Sequence, residues 1–542
     1  MATILNSRLA KLRAIVIDDM RSMRENIRGQ LGQLGIEQVD QAATPDDALK
    51  LIGNRNYDVI VCDYNLNKQT NGQQLLEYLR SQGLLPPTAM FFMVTAESSY
   101  GSVASAAEFQ PDAYLVKPLT GGRIADRIER LLDKQQILNP ITERLRKKDR
   151  SGAITECDKV LQTHPKWIVD ILKLKGTTLL ESGRTEEARE VYEQALALRN
   201  DLVWAQLGLA RCEQAAGKLE AARQTVTDIL DKNNQFIAAH DLMAQIAEAE
   251  GRDQDALHAL NASYNVIPSA RRSRLVGDAA YRVGNLDQAC TAFSQAINHT
   301  RGSLTAQPSD ALSLAQVHVD MNEPTLALGV LETAANIHRE APGFAERHAT
   351  IAAQAFGRLG DLQSAQAAFA SAKELSGTLR ADQHAIALAK AALHAGLVEE
   401  GKRILAKAIK ADHENSRLVA AARKALEDTG HGALIQSVID DAISEGALIV
   451  DEANKLMREG RFDASLAKLE EAMQATPENT GLLLAAAQLH LLWMSQKGLD
   501  RTYVERVNTY LNQLDRLMPN SERVAKMARF LRETLLRGNG ES

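Results

Sequence analysis

The sequence predicts two structural classes in one chain of 542 residues: a doubly wound α/β domain with a five-stranded parallel sheet, followed by an all-α superhelical solenoid. Three observations predict it. Short apolar runs alternate with amphipathic stretches over residues 1–138, no strand pattern follows, and a glycine–alanine outline then recurs at an interval near 34 residues.

In the first part, RAIVI at 13–17 reads as a buried strand, followed by a helical pattern to about residue 34 and a weaker strand at 38–42. Thr44-Pro45-Asp46-Asp47 marks a helix start, with threonine as cap, proline in the first turn and acids near the positive helix end. DVIVC at 58–62 is the third strand and GQQLLEYLRSQG at 72–83 the next helix. AMFFMV at 89–94, a helical stretch near 99–108, AYLV at 113–116 and a helix from about 121 complete the set. Strands separated by helices imply parallel pairing, right-handed crossovers and helices on both faces. Ligand sites in such sheets lie beyond the carboxyl ends of the strands.

Those ends carry a pattern. Strand one leads into Asp18-Asp19, strand three into Asp63, strand four into Thr95 and strand five into Lys117-Pro118. Taken singly, each has a simpler meaning: aspartates start turns, threonine caps helices and Lys-Pro makes a turn. Taken together they bring three carboxylates, a hydroxyl and an ammonium to one edge. Three neighbouring carboxylates stay ionised only when positive charge is supplied, which suits a hard divalent cation with oxygen ligands. The set fits in-line phosphoryl transfer to a carboxylate.

DDMRSMR at 18–24, CDYNLN at 62–67, VTAES at 94–98 and YLVKPL at 114–119 resemble the CheY-like receiver domain of two-component response regulators. The resemblance covers about the first quarter of the chain. It implies that Asp63 accepts a phosphoryl group from a sensor histidine kinase or phosphotransfer protein. It implies Mg²⁺ held by Asp18, Asp19 and Asp63, with Asn65 contributing its backbone carbonyl and Asp18 acting through water. Thr95 would then hydrogen-bond the phosphoryl group, Lys117 would form its salt bridge, Pro118 would follow a cis peptide and Tyr114 would be the aromatic switch. The loop NKQTNG at 67–72 is slightly longer than the family pattern.

Beyond residue 138, ESGRTEEAREVYEQAL at 181–196 is echoed at 250–263, 283–297, 357–372 and 458–473. Small residues fall at Ala153, Ala188, Ala222, Ala256 and Ala289, then Ala327 and Ala365; turn glycines include Gly183, Gly217, Gly251 and Gly284. With Tyr192, Phe293 and Phe369 at the aromatic position, this outline resembles the tetratricopeptide repeat. One repeat cannot bury its apolar face, so stacking is required. The array is expected over 139–425, a break in the period read as a hinge at 426–445, and further repeats with a closing helix over 446–542. The helix from 121 is expected to reach the first repeat through about ten linker residues.

Repeats of this kind offer a groove for a partner protein or peptide. The register puts Lys173, Trp204, Arg211, Arg271 and Arg274 there, with RRSR at 271–274 suited to an acidic segment. The simpler reading is solvated charges and a packed tryptophan.

A net charge of −6 argues against a nucleic-acid-coating protein, and no basic recognition helix follows the first domain. Four dispersed cysteines suggest a reducing compartment; the N-terminus lacks the pattern of a signal peptide, and no apolar run spans a bilayer, so the expected location is the cytoplasm. No P-loop, HExxH or GxSxG motif appears, so no enzymatic activity is expected beyond the receiver's own phosphorylation and dephosphorylation. The leading expectation is a response regulator with a protein-binding output, acting on adjoining repeats or between two receivers in a homodimer. The alternatives are a regulator that dephosphorylates or sequesters another signalling protein, and a constitutive scaffold with a docking-only receiver.

Overall fold

A computed structural model describes residues 8–66, 71–86, 89–96, 111–301, 306–377, 383–412, 415–475, 479–498, 500–517 and 522–538. The chain divides into two compact units, 1–311 and 312–542.

The first unit opens with strands β1 (Arg13–Ile17), β2 (Gln38–Ala42), β3 (Val59–Asp63), β4 (Met90–Thr95) and β5 (Ala113–Val116). They form one parallel sheet in the order β2-β1-β3-β4-β5. Between them run helices α1 (Arg21–Gln33), α2 (Pro45–Asn54) and α3 (Gly72–Ser81), and α4 (Gly121–Arg146) follows β5. The expected helix near 99–108 lies outside the described residues.

Strand alternation divides the core into two layers. Ile15, Ile17, Ile60, Cys62, Phe91 and Met93 face α2 and α3, meeting Ala48, Leu49, Ile52, Leu75, Leu76 and Leu79. Ala14, Val16, Val59, Val61, Phe92 and Val94 face α1 and α4, meeting Ile27, Leu31, Ile124 and Ile128. Helix starts follow the local chemistry. Thr44 caps α2 by accepting from Asp47 N, with Pro45 in the first turn. Asn71 and Gln74 form a reciprocal capping box on α3.

The expected linker is absent. Helix α4 continues through Pro140 to Arg146, and α5 (Arg150–Thr163) begins four residues later. Ile137 and Ile141 pack with Ala153, Cys157, Val160 and Ile171, so burial holds the helix together across a proline that would otherwise end it.

Helical hairpins follow: α6 (Ile168–Glu181) with α7 (Thr185–Leu198), α8 (Val203–Ala215) with α9 (Leu219–Lys232), α10 (Ile237–Ala249) with α11 (Asp253–Val266), and α12 (Ala270–Arg282) with α13 (Leu286–His299). Ala153, Ala188, Ala222, Ala256 and Ala289 are fully buried at the helix contacts. Each of these four hairpins turns through a left-handed glycine: Gly183 (φ 73°), Gly217 (75°), Gly251 (74°) and Gly284 (80°). The turn between α4 and α5 places Lys148 in that conformation (58°). The Tyr192 ring occupies space left by two glycines, since a Cβ on Gly176 or Gly208 would lie 2.7 or 2.5 Å from it. Phe293 fills the same place against Gly277.

The second unit is helical among its described residues. Helix Pro324–His338 packs on Phe344–Leu359, which pairs with Leu362–Leu375, and Gln383–His394 pairs with Val398–Ala411. Ala327 and Ala365 are again fully buried. Residues 426–445 contain the end of helix Ser416–Asp428, a 3₁₀ turn at Gly432–Leu434 and a π-helical turn at Gln436–Asp440. Val438 and Ile439 of that turn are buried in the core of the preceding helices. Helices Thr480–Lys497, Arg501–Leu517 and Glu522–Gly538 close the chain, with Leu483, Leu491, Val507, Leu514 and Leu531 packed together.

Candidate functional site

The strand order reverses between β1 and β3, because β2 lies outside β1 while β4 and β5 lie outside β3. At this switch point the carboxyl ends of two neighbouring strands diverge into helices on opposite faces and leave a crevice. Asp63 is the last residue of β3, and Asp18 and Asp19 follow β1 immediately. Register fixes their proximity, since Ile17 pairs with Cys62. Carboxylate oxygens of Asp18, Asp19 and Asp63 lie within 4.8 Å of one another. Asp18 and Asp63 are buried, whereas Asp19 is exposed and leaves the cluster open to solvent.

Lys117 supplies the opposing charge. Its backbone N–H donates to Thr95 O at 2.8 Å, continuing the β4–β5 ladder past the end of β5. Its Nζ then lies 3.1 Å from Asp63 Oδ2 and 3.4 Å from Asp18 Oδ2. The peptide joining Lys117 to Pro118 is cis. Asp18 Oδ1 accepts from Met20 N at 2.8 Å, and Arg24 Nη1 donates to the carbonyls of Asp18 and Asp19 at 2.7 and 3.0 Å, fixing the turn after β1.

One ammonium does not neutralise three carboxylates. Burial pushes the Asp63 carboxyl above its ordinary range, against the hydrogen bond and charge of Lys117, and Asp18 adds to the rise. Burial alone would lower Lys117, yet its hydrogen bond to Asp63 and the charges of Asp63 and Asp18 hold it above its usual value. The uncompensated negative charge and all-oxygen donor set fit a hard divalent cation. Asn65 stands exposed two residues beyond Asp63. Thr95 is buried at the end of β4, one residue past Val94, the register partner of Asp63. Tyr114, on β5, is half-buried; among the described residues its buried hydroxyl has no hydrogen-bond partner.

Residues 14–129 match the response regulator receiver domain family, and residues 179–246 match the tetratricopeptide repeat family. The chain joins a receiver domain to tetratricopeptide repeats. Chemotaxis protein CheY of Pseudomonas aeruginosa is 29% identical over 123 residues, which are 23% of this chain and 98% of that protein. CheY-3 of Vibrio cholerae is 25% identical over 134 residues, 25% of this chain and 99% of that protein. Among solved structures, a tetratricopeptide repeat protein from Parabacteroides merdae is similar at 16% identity and a TM-score of 0.31, covering 45% of this chain and 93% of that one. PilF of Pseudomonas aeruginosa is similar at 19% identity and a TM-score of 0.31, covering 39% and 94%. Among the described residues no helix is long and apolar enough to cross a membrane.

Of the five repeat residues expected to line a groove, Lys173 and Trp204 meet, while Arg271 and Arg274 pair with carboxylates of this chain. Lys173 lies with its Nζ 5.9 Å from the centre of the Trp204 ring, which meets Tyr192 edge-on at 6.1 Å. Burial, followed by the charge of Lys134, lowers the Lys173 ammonium. Arg211 is exposed on α8. Arg274 grips buried Asp310 through two parallel contacts, one of them 2.8 Å, and Arg271 Nη1 lies 3.9 Å from Glu77 Oε1 in the receiver. Arg272, within the RRSR run expected to meet an acidic segment, is 2% exposed and lies 3.1 Å from the same Glu77 oxygen; what sequence reasoning missed is that the acid is Glu77 of this chain. The available signal was a carboxylate on the outward face of α3, opposite Leu75 and Leu79.

Proposed function

We propose that this protein is a phosphorelay response regulator. Asp63 accepts a phosphoryl group from a sensor histidine kinase or phosphotransfer protein, and the tetratricopeptide repeats give a protein-binding output. The observation that carries the reading is the convergence of Asp18, Asp19, Asp63 and Lys117 at the switch point of the receiver sheet. Side-chain oxygens of Asp19 and Asp63, with the backbone carbonyl of Asn65 and with Asp18 through water, would hold Mg²⁺. When bound, that ion neutralises charge on the phosphoryl oxygens.

The chain's own residues then have defined roles. An Asp63 carboxylate oxygen attacks phosphorus, forming an O–P bond as the donor's P–N bond breaks and its imidazole nitrogen takes back the electron pair. Lys117, already beside Asp63, pairs with a phosphoryl oxygen, and the Thr95 hydroxyl donates to another. Lys117 is aimed by its backbone bond to Thr95 and by the turn at Pro118. Tyr114, with no polar tether on its hydroxyl among the described residues, is the side chain free to turn when Thr95 moves. Beyond this self-phosphorylation and its reversal the protein is not an enzyme, and it acts in the cytoplasm, where such donors present their phosphoryl groups.

Incubation with acetyl phosphate and Mg²⁺, followed by intact-mass measurement, tests the reading. One phosphoryl group is expected on wild type and none on Asp63→Ala. No added mass on wild type, or equal addition to the variant, removes the proposal.

A further inference from the structure

Helix α3 is covered on both faces. Leu75, Leu76 and Leu79 pack inside the receiver, while Gln73 and Glu77, one turn apart on the opposite face, are only 2% and 5% exposed. The cover on that outer face comes from the repeats. Gln74 Nε2 donates to Pro268 O at 3.1 Å, and Glu77 Oε1 meets Arg272 Nη2 at 3.1 Å with Arg271 behind it. The Arg272 guanidinium is held from the repeat side: its Nε donates to Ser263 Oγ at 3.2 Å and its Nη1 to Ile267 O at 3.4 Å. Ser263 in turn donates to Asp241 Oδ1 at 2.7 Å.

The same helix is fastened to the phospho-acceptor strand. Gly72 N donates to Tyr64 O at 2.7 Å, and a Cβ on Gly72 would lie 2.3 Å from Asp63 O, so α3 starts in direct contact with the Asp63 backbone. Gln74 accepts from Asn71 N while it donates to Pro268 O, so one side chain joins the helix cap to the repeats.

The geometry points to a switch: Pro268 and Arg272 form a docking site that holds the receiver's own helix α3 while Asp63 is unphosphorylated, and phosphorylation releases it. This rests on the phospho-acceptor reading of Asp63. A buried ion pair depends on close geometry, and its arginine is costly to leave alone. Gly72, at the start of α3, sits directly against the backbone of Asp63 and Tyr64, so a shift of that backbone carries α3 with it and moves Glu77 off Arg272. Release uncovers Arg271, Arg272 and the Pro268 carbonyl for a partner whose helix carries a carboxamide and a carboxylate three residues apart.

Amide exchange of the full chain, followed by mass spectrometry on segments 72–81 and 262–274, tests docking and switching separately. Glu77→Gln is expected to raise exchange in both segments by about tenfold or more, because a buried charge loses its partner. Glu77→Arg and Arg272→Glu are each expected to do the same, and the double reversal to restore protection. Circular dichroism of each variant keeps misfolding separate from undocking. Unchanged exchange in Glu77→Gln, or no recovery in the double reversal, overturns the docking site. Beryllofluoride with Mg²⁺, as a phosphoryl mimic, is expected to deprotect both segments in wild type and to bind more tightly to Glu77→Gln by the same factor, since coupling is reciprocal. If beryllofluoride binds wild type without changing either segment, the switch is overturned. If it fails to bind at all, the phospho-acceptor reading falls and takes the switch with it, whereas docking is still decided by the charge reversal.

Discussion

Gly72→Ala is the most informative single substitution in the receiver, because one methyl group lands on backbone. The new Cβ would lie 2.3 Å from Asp63 O and 2.9 Å from Met93 Sδ. The thioether can rotate away, but the carbonyl belongs to β3 and is fixed by the sheet. Reaching ordinary contact requires the start of α3 to move about 1 Å from the strand, and overpacking on that scale costs about 1–3 kcal/mol. The movement also stretches the Gly72 N–Tyr64 O bond, now 2.7 Å, adding roughly 0.5–1.5 kcal/mol. A total of about 1.5–4.5 kcal/mol corresponds to a roughly ten- to two-thousandfold rise in local opening.

The assay is native-state amide exchange on peptides covering β3 and β4 in the full chain, which reads receiver opening without requiring two-state unfolding of the whole protein. Gly53→Ala is the matched control, since Gly53 lies inside α2 with nothing within 4 Å of its would-be Cβ. There the helix gains from alanine, and protection should increase by about 0.5–1 kcal/mol. Opposite signs are therefore expected from the same chemical change. Wild-type exchange in Gly72→Ala, or equal loss of protection in both variants, refutes the close-approach argument.

Tyr192→Ala empties the space between Gly176 and Gly208 and should destabilise the repeats of the first unit by about 3–5 kcal/mol, read by urea unfolding through the fluorescence of nearby Trp204. Lys148→Gly places glycine at a φ of 58° and should raise the urea midpoint, with a gain of about 0.5–1 kcal/mol. His490 is fully buried among Phe462, Tyr503 and Tyr510, and desolvation lowers its pKa to about 4. Its depressed folded value means the unfolded chain binds the extra proton, so stability of the second unit should fall as pH drops from 6.5 towards 4, by at most about 3 kcal/mol from this residue. Urea midpoints across that range, read through Trp493, should depend less on pH in His490→Leu; an unchanged slope refutes the assignment.

The receiver was legible because its signals are local and dense. All five strands fall within one residue of the positions their apolar runs indicate, and Thr44 caps its helix as its sequence context implies. Asp63 was expected just after β3 and is the strand's final residue, buried and in register with Val94. The repeat turns were legible for the same reason, since a left-handed residue must recur and glycine fills it at Gly183, Gly217, Gly251 and Gly284. The joint at 138 was not. Pro140 reads as a helix breaker, and only long-range burial of Ile141 against Cys157 and Ile171 keeps α4 intact through it.

The contact between α3 and the repeats was illegible for a different reason. An amphipathic pattern puts Gln73 and Glu77 on the polar side of α3 without saying what lies against them, and RRSR reads as a charged surface suited to an external acidic segment. Each pattern fits an isolated domain, and neither names the surface it meets. Polar residues on two outward faces encode either solvent exposure or mutual docking, and hydrophobic periodicity is identical in both cases. What separates them is charge complementarity at long range: Glu77 answers Arg272 across nearly two hundred residues, while Arg274 is satisfied locally by Asp310. Ion pairs of this kind add little hydrophobic energy but reject misaligned partners, so they specify which surfaces meet more strongly than how tightly they bind. A contact chosen in that way can separate without unfolding either domain, which is the property a phosphorylation-controlled joint requires.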